Sequence, residues 1–139
     1  MPPRPPKGVC VFDLDQTLTC GDAARAVHAC RDVEYEIAVN TARPVGWLEP
    51  RLAALGLPAP DSPAFVHNPR SYQQTQAQRA AAKACGMHKI ADIFGTKNLI
   101  LFDDLAENVA AARDAGYRAQ QVSRNGRCGI TERDLSILY

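Results

Sequence analysis

The chain has 139 residues, enough for one domain with a buried core; 46% of its residues are hydrophobic and only 6% are aromatic. A net charge of +1 gives no electrostatic reason to expect binding to nucleic acid or to a membrane surface. No apolar run approaches the length of a membrane span. We therefore expect a single globular domain over residues 8–139, after a disordered proline-rich lead-in over residues 1–7.

The chain contains five cysteines, an odd number, and no CxxC pair. The proline-rich start lacks the apolar region of a secretory signal. Together these features favour reduced thiols and a cytoplasmic location.

The first element is an apolar run over residues 8–14, which predicts a buried strand that leads into the carboxylates Asp13 and Asp15. Side chains along a strand repeat their direction every two residues, so the two acids would share a face if the strand continued. Such a pair needs compensation, either from a divalent cation bound by oxygen atoms or from a shared proton. The pair therefore predicts a metal or catalytic site at the end of a strand.

Strands and helices alternate along the rest of the chain. We expect strands over 35–40, 65–67, 99–102 and 118–123. Between and after them we expect helices over 23–31, from about residue 50 to Gly56, over 72–94, over 105–115 and from Thr131 to Leu138. Asp22 is expected to cap the first of these helices, Gly86 to break or kink the helix over 72–94, and Asp104 with Glu107 to form a capping box at the helix over 105–115. This alternation predicts an α/β fold, a single three-layer α/β/α domain with a mostly parallel sheet.

Polar side chains follow three of the predicted strands at the point where each strand ends. Asp13 and Asp15 follow the first, Thr41 follows the second, and Asp103 with Asp104 follows the strand over 99–102. Ligands of parallel α/β sheets bind beyond the carboxyl ends of the strands, so these residues are expected to form one site.

The order of these residues resembles the motifs of the haloacid dehalogenase (HAD) superfamily. The four matching features are Asp13-x-Asp15-x-Thr17 after a strand, Thr41 at the end of the second strand, a lysine in the helix before the last acidic strand, and Asp103-Asp104. The resemblance covers residues 8 to about 123 and implies a Rossmann-like fold.

The resemblance implies a Mg²⁺-dependent phosphomonoester hydrolase, that is, a phosphatase. Asp13 occupies the position of the nucleophile, which forms an aspartyl phosphate that water then hydrolyses. Asp15 matches the general acid/base. Thr41 would bind a phosphoryl oxygen, and Arg43 would contact the substrate.

The same resemblance implies how Mg²⁺ would be held. Asp104 best matches the principal magnesium aspartate of the family, and Asp103 would support the metal or its water. Asp13 and the backbone carbonyl of Asp15 would complete the set of protein ligands, and Asn108 would orient the ligands from outside.

Three lysines are candidates for the motif lysine: Lys83, Lys89 and Lys97. Lys83 is favoured because it precedes an apolar helical stripe, as the family's lysine does. Its positive charge would hold the substrate phosphate and the Asp13 carboxylate.

The gaps between the motifs are too short for a folded cap domain, so a capless member with an open site is expected. Such a site would accept a phosphorylated substrate, including a macromolecular one, or would be closed by oligomerisation. Two alternatives stay open. One is a non-catalytic phospho-receiver or binding module on the same fold; the other is a phosphatase for 3′-phosphorylated nucleic-acid ends, which the neutral charge and few aromatic residues disfavour.

Overall fold

A computed structural model describes residues 5–15, 17–42, 50–68, 74–122 and 129–139. The strands are β1 (Val9–Phe12), β2 (Glu36–Thr41), β3 (Phe65–His67), β4 (Leu99–Asp103) and β5 (Arg118–Gln121). The helices are α1 (Ala23–Asp32), α2 (Pro50–Ala53), α3 (Gln76–Phe94), α4 (Ala106–Asp114) and α5 (Glu132–Leu135), the last followed by a 3₁₀ turn over Ser136–Leu138. All strand pairs are parallel, in the order β3-β2-β1-β4-β5. The predicted α/β fold with a parallel sheet is confirmed.

The two faces of the sheet carry separate apolar clusters, and β1 contributes alternately to both. Cys10 and Phe12 pack with residues of α1, α2 and α5, whereas Val9 and Val11 pack with residues of α3 and α4. All four side chains are fully buried because helices cover the central strand on both sides. This arrangement makes the three layers of the domain.

The register of the sheet decides which side chains meet at its carboxyl edge. Phe12 of β1 lies beside Val39 of β2 and Phe102 of β4. The backbone N–H of Asp13 donates to the carbonyl of Phe102 at 3.1 Å, which extends the pairing one residue further. Because β1 lies between β2 and β4, the residues that follow these three strands come together where the strand order reverses.

Gly86 does not break α3, which runs uninterrupted from Gln76 to Phe94. The alternative of a helix break at this glycine is therefore wrong. A Cβ atom at Gly86 would lie 2.7 Å from the side-chain oxygen and nitrogen of Asn40. The glycine thus allows α3 to approach the end of β2 closely, which is its physical role here.

Helix capping agrees with the sequence at α1 and differs at α4. Asp22 caps α1 as predicted, accepting a hydrogen bond from the N–H of Arg25 at 3.0 Å. At α4 the carboxylate of Asp103 accepts from the N–H of Leu105 at 2.9 Å, and Leu105 occupies the N-cap position without a side-chain bond. The predicted Asp104–Glu107 capping box is therefore wrong.

The prediction of reduced thiols is also wrong. Cys10 on β1 and Cys30 on α1 form a disulfide, with Cα atoms 6.3 Å apart, and Cys20 is disulfide-bonded as well. Cys85 is a free, exposed thiol. The first pair meets because α1 packs across β1, a contact that the spacing of cysteines along the chain does not reveal. The cysteines therefore no longer support a cytoplasmic location.

The sequence also predicted a disordered lead-in at the N-terminus and no membrane-spanning segment. The lead-in over residues 1–7 falls mostly on residues outside the described ranges. Within the part of the chain that the structure describes, no helix is both long enough and apolar enough to cross a membrane.

Replacing Gly86 with alanine should destabilise the protein, although the same change inside an exposed helix stabilises by up to about 1 kcal/mol. The added Cβ would collide with Asn40, and overpacking of this kind costs about 1–3 kcal/mol. Urea denaturation of the Gly86→Ala variant measures the change. Cys85→Ala, at the neighbouring exposed position of the same helix, is the control and should stay near the parent value; a stabilised Gly86→Ala variant would contradict the close approach.

Candidate functional site

A pocket of about 470 Å³ lies at the carboxyl edge of the sheet. Its lining includes six residues that the sequence predicted for the site: Asp13, Asp15, Thr41, Lys83, Asp104 and Asn108. They come from the ends of β1, β2 and β4 and from the helices α3 and α4. The expected convergence of these side chains at one edge is therefore seen in the structure.

Lys83 contacts two carboxylates and a backbone carbonyl at this pocket. Its Nζ lies 3.2 Å from Oδ1 of Asp13 and 3.1 Å from Oδ2 of Asp103, and it donates to the backbone carbonyl of Asn40 at 2.6 Å. The lysine is only 7% exposed. Lys89 and Lys97 are both exposed, so the structure brings the favoured lysine, and neither alternative, to the site.

Asn40 is a residue of this network that the sequence reasoning missed. Its Nδ2 donates to the backbone carbonyl of Lys83 at 2.9 Å, while its own carbonyl accepts from Lys83 Nζ. Asn40 thus contacts both the backbone and the ammonium of the lysine and fixes α3 against β2. A buried amide one residue before the end of an apolar strand was the available signal, because such a group needs hydrogen-bond partners.

The neighbouring acids Asp103 and Asp104 have different surroundings. Asp103 is fully buried, and both of its carboxylate oxygens are engaged: Oδ1 by the N–H of Leu105 and Oδ2 by Lys83 and by Asn108 Nδ2 at 3.1 Å. Asp104 lines the pocket, and Asp103 does not. Asp103 therefore positions the lysine and the start of α4, and Asp104 is the acid of the two that lines the pocket.

The carboxylates fit a divalent cation by charge and by distance. Asp13, Asp103 and Asp104 each offer one oxygen within 4.8 Å of the others, and all three are buried. Lys83 contacts Asp13 and Asp103, and the carboxylate of Asp104 is buried beside them. Hard oxygen donors of this kind suit Mg²⁺, which keeps several waters and needs only one or two protein carboxylates. Asp13 and Asp104 would hold it.

Burial perturbs the protonation of the central pair. Removal from water is the largest effect on Asp13; the charge of Lys83 opposes it, and the Asp103 carboxylate adds to it, so that the pKa of Asp13 is raised to about 7. Burial alone would lower the pKa of Lys83, but Asp13 and Asp103 outweigh it and raise the pKa above its usual value. The lysine is therefore a fixed positive charge at neutral pH, and a cation near Asp13 would favour its ionised form.

The other predicted residues occupy different depths. Asp15 is exposed and lines the pocket, whereas Thr41 is 2% exposed at the end of β2. Thr17 is fully buried, and within the described ranges its Oγ1 has no hydrogen-bond partner. Arg43 lies outside the described residues, so its predicted contact with substrate stays a prediction.

Several lining residues were not predicted for the site. Asn68 directly follows β3, and Gln76, Arg79 and Glu107 lie near the starts of α3 and α4. Gln76 Nε2 donates to a carboxylate oxygen of Glu107, joining the two helices at the pocket. Arg79 lies four residues before Lys83, and this i, i+4 spacing on one helical face could have identified it.

Comparison with known proteins supports the fold and identifies neither a family nor a function. Neither the protein-family models nor the curated proteins gave a match. Among solved structures, the fold is similar to that of an uncharacterized protein from Corynebacterium glutamicum, with 13% identity and a TM-score of 0.56 over 84% of this chain and 85% of that chain. At this identity the likeness shows a shared fold alone.

The raised pKa of Asp13 predicts an unusual dependence of stability on pH when no divalent cation is bound. Between about pH 4, where an unfolded aspartate ionises, and about pH 7, the folded protein holds a proton that the unfolded chain has lost. Raising the pH through this interval should therefore lower the free energy of unfolding, by up to about 4 kcal/mol. Urea denaturation in a chelating buffer measures this slope.

Asp13→Asn is the informative variant for this slope, because it removes the buried titration. Asp61→Asn, at an exposed position outside the pocket, is the matched control and should retain the slope. An identical slope in the parent protein and in Asp13→Asn would contradict the perturbed pKa.

Proposed function

We propose that the protein is a Mg²⁺-dependent phosphomonoester hydrolase in which Asp13 is the nucleophile and Asp15 the general acid/base. One observation carries this proposal. The buried carboxylate of Asp13, held by Lys83, shares a pocket at the carboxyl edge of the sheet with Asp104, Asp15 and Thr41. The same residues resemble the motifs of HAD phosphatases in type and in order.

In the first half of the proposed reaction, an oxygen of Asp13 attacks the phosphorus of the ester. A bond forms between that oxygen and phosphorus while the bond from phosphorus to the leaving oxygen breaks. Asp15 donates its proton to the leaving alcohol, which suits an acid that is exposed at the pocket and can exchange protons with solvent. The products are a free alcohol and an aspartyl phosphate on Asp13.

In the second half, Asp15 acts as the base. It takes a proton from water, whose oxygen attacks the phosphorus and displaces the carboxylate of Asp13. Inorganic phosphate leaves, and both aspartates return to their starting states. Mg²⁺, when bound, would offset the negative charges of the phosphate and the carboxylates, so that one anion can approach another.

Lys83 and Thr41 hold the reacting groups in this proposal. The ammonium of Lys83 is fixed by Asp13, Asp103 and the carbonyl of Asn40, so little reorganisation is needed when a phosphoryl group enters. Thr41 would donate its hydroxyl to a phosphoryl oxygen. Asp103 and Asn108 act through their neighbours, as positioning residues.

The protein should release phosphate from 4-nitrophenyl phosphate in the presence of Mg²⁺ and stop doing so when the metal is removed by a chelator. Asp13→Asn should reduce kcat on the order of a thousandfold or more, the scale seen when a nucleophile is removed. Steady-state absorbance measurements give the rates. Asp61→Asn should remain fully active, and equal rates in the parent protein and in Asp13→Asn would exclude the role given to Asp13.

Asp15→Asn separates the hydrolase from the non-catalytic phospho-receiver. With the good leaving group nitrophenolate, the variant should still form the aspartyl phosphate and then fail to hydrolyse it. Intact-mass spectrometry should therefore show one added phosphoryl group in Asp15→Asn and none in the parent protein. A parent protein that itself remains stoichiometrically phosphorylated without turnover would instead support the receiver.

A further inference from the structure

Arg79 is a second cation in the pocket, and its charge has no partner in the described protein. It lies on α3, and its Nη1 donates to the backbone carbonyl of Gln74 at 3.1 Å. Among the residues that the structure describes, Arg79 forms no ion pair, whereas Lys83 contacts two carboxylates. A guanidinium has five N–H donors in a fixed plane, so most of its hydrogen-bonding capacity stays open to a ligand.

The position of Arg79 places this charge beyond the reacting centre. Residues four apart on a helix are displaced by about 6 Å along its axis. Gln74 precedes the N-cap residue Thr75, so the contact with its carbonyl draws the guanidinium toward the start of α3 and away from Lys83. The arginine thus lies at the end of the pocket nearer the start of α3.

Glu107, an acidic residue in the first turn of α4, forms no ion pair with Arg79 in the part of the chain that the structure describes. Glu107 lines the same pocket, but its carboxylate accepts a hydrogen bond from Gln76. Within the described residues Arg79 therefore has one hydrogen bond, to the carbonyl of Gln74, and no ion pair, and it lines the pocket. The hydrogen bond to Gln74 alone does not require Arg79 to line a cavity of this size.

We infer that Arg79 binds a second anionic group of the substrate. The substrate class is then a phosphomonoester whose leaving group carries a carboxylate or another phosphate. A pocket of about 470 Å³ is within the range of small-ligand sites. This inference rests on the proposed hydrolase function and adds the specificity determinant to it.

A matched pair of esters tests the inference. 4-Carboxyphenyl phosphate and 4-carbamoylphenyl phosphate have nearly the same shape and differ in one charge. The parent protein should prefer the carboxylate in kcat/KM by about tenfold or more, the size of a charge-assisted hydrogen bond, and Arg79→Gln should abolish most of that preference. A third ester, 1,4-phenylene bisphosphate, shows whether a carboxylate or a phosphate is the better second anion.

Lys89→Gln is the matched control, since Lys89 is exposed on the same helix and does not line the pocket. It should keep the full preference. Arg79→Lys, which retains the charge without the planar fork, should keep an intermediate preference and serves if Arg79→Gln folds poorly. An undiminished preference in folded Arg79→Gln, or equal losses for both esters, would overturn the inference.

A binding measurement separates failure of the inference from failure of the proposed function. Titration calorimetry with 4-carboxyphenylphosphonate and 4-carbamoylphenylphosphonate needs no turnover. If no ester is hydrolysed but the parent protein binds the carboxylate form more tightly, and Arg79→Gln does not, the hydrolase proposal fails while the anion site stands. Turnover of both esters without any preference would overturn the anion site and leave the hydrolase proposal in place.

Discussion

The rest of the site depends on the burial of several carboxylates around one lysine. Removing an ionised carboxylate from water costs several kcal/mol unless a partner offsets the loss. Lys83 contacts Asp13 and Asp103, and Asp104 is buried beside them. The cost appears directly in Asp13, whose pKa rises to about 7. A divalent cation bound by these carboxylates would offset that cost.

The fold supplies this cluster through the order of its strands. β1 is flanked by β2 and β4, so residues far apart along the chain end side by side. Lys83 lies on α3, and it reaches this edge of the sheet because Gly86 allows α3 to approach Asn40 closely. Asn40 contacts the backbone and the ammonium of Lys83 at once. The contact between α3 and Asn40 therefore both packs the helix against β2 and positions the ammonium of Lys83.

Much of this could be predicted from the sequence, for identifiable reasons. Asp13 and Asp104 follow apolar runs that only a buried strand explains, and the parallel order sends both to one edge. The contribution of Asn40, the hydrogen bond from the Leu105 N–H to Asp103 and the Cys10–Cys30 bond could not be predicted in this way. Each depends on how two distant segments approach one another, which residue spacing along a single strand or helix does not encode.

A crystal structure of the protein with Mg²⁺ and beryllofluoride, a mimic of the aspartyl phosphate, would show whether Asp13 is the nucleophile. We expect beryllofluoride to be attached to a carboxylate oxygen of Asp13 and contacted by Lys83 and Thr41, with Mg²⁺ bound by Asp13 and Asp104. Beryllofluoride attached to another residue, or a cation bound away from these carboxylates, would contradict this expectation.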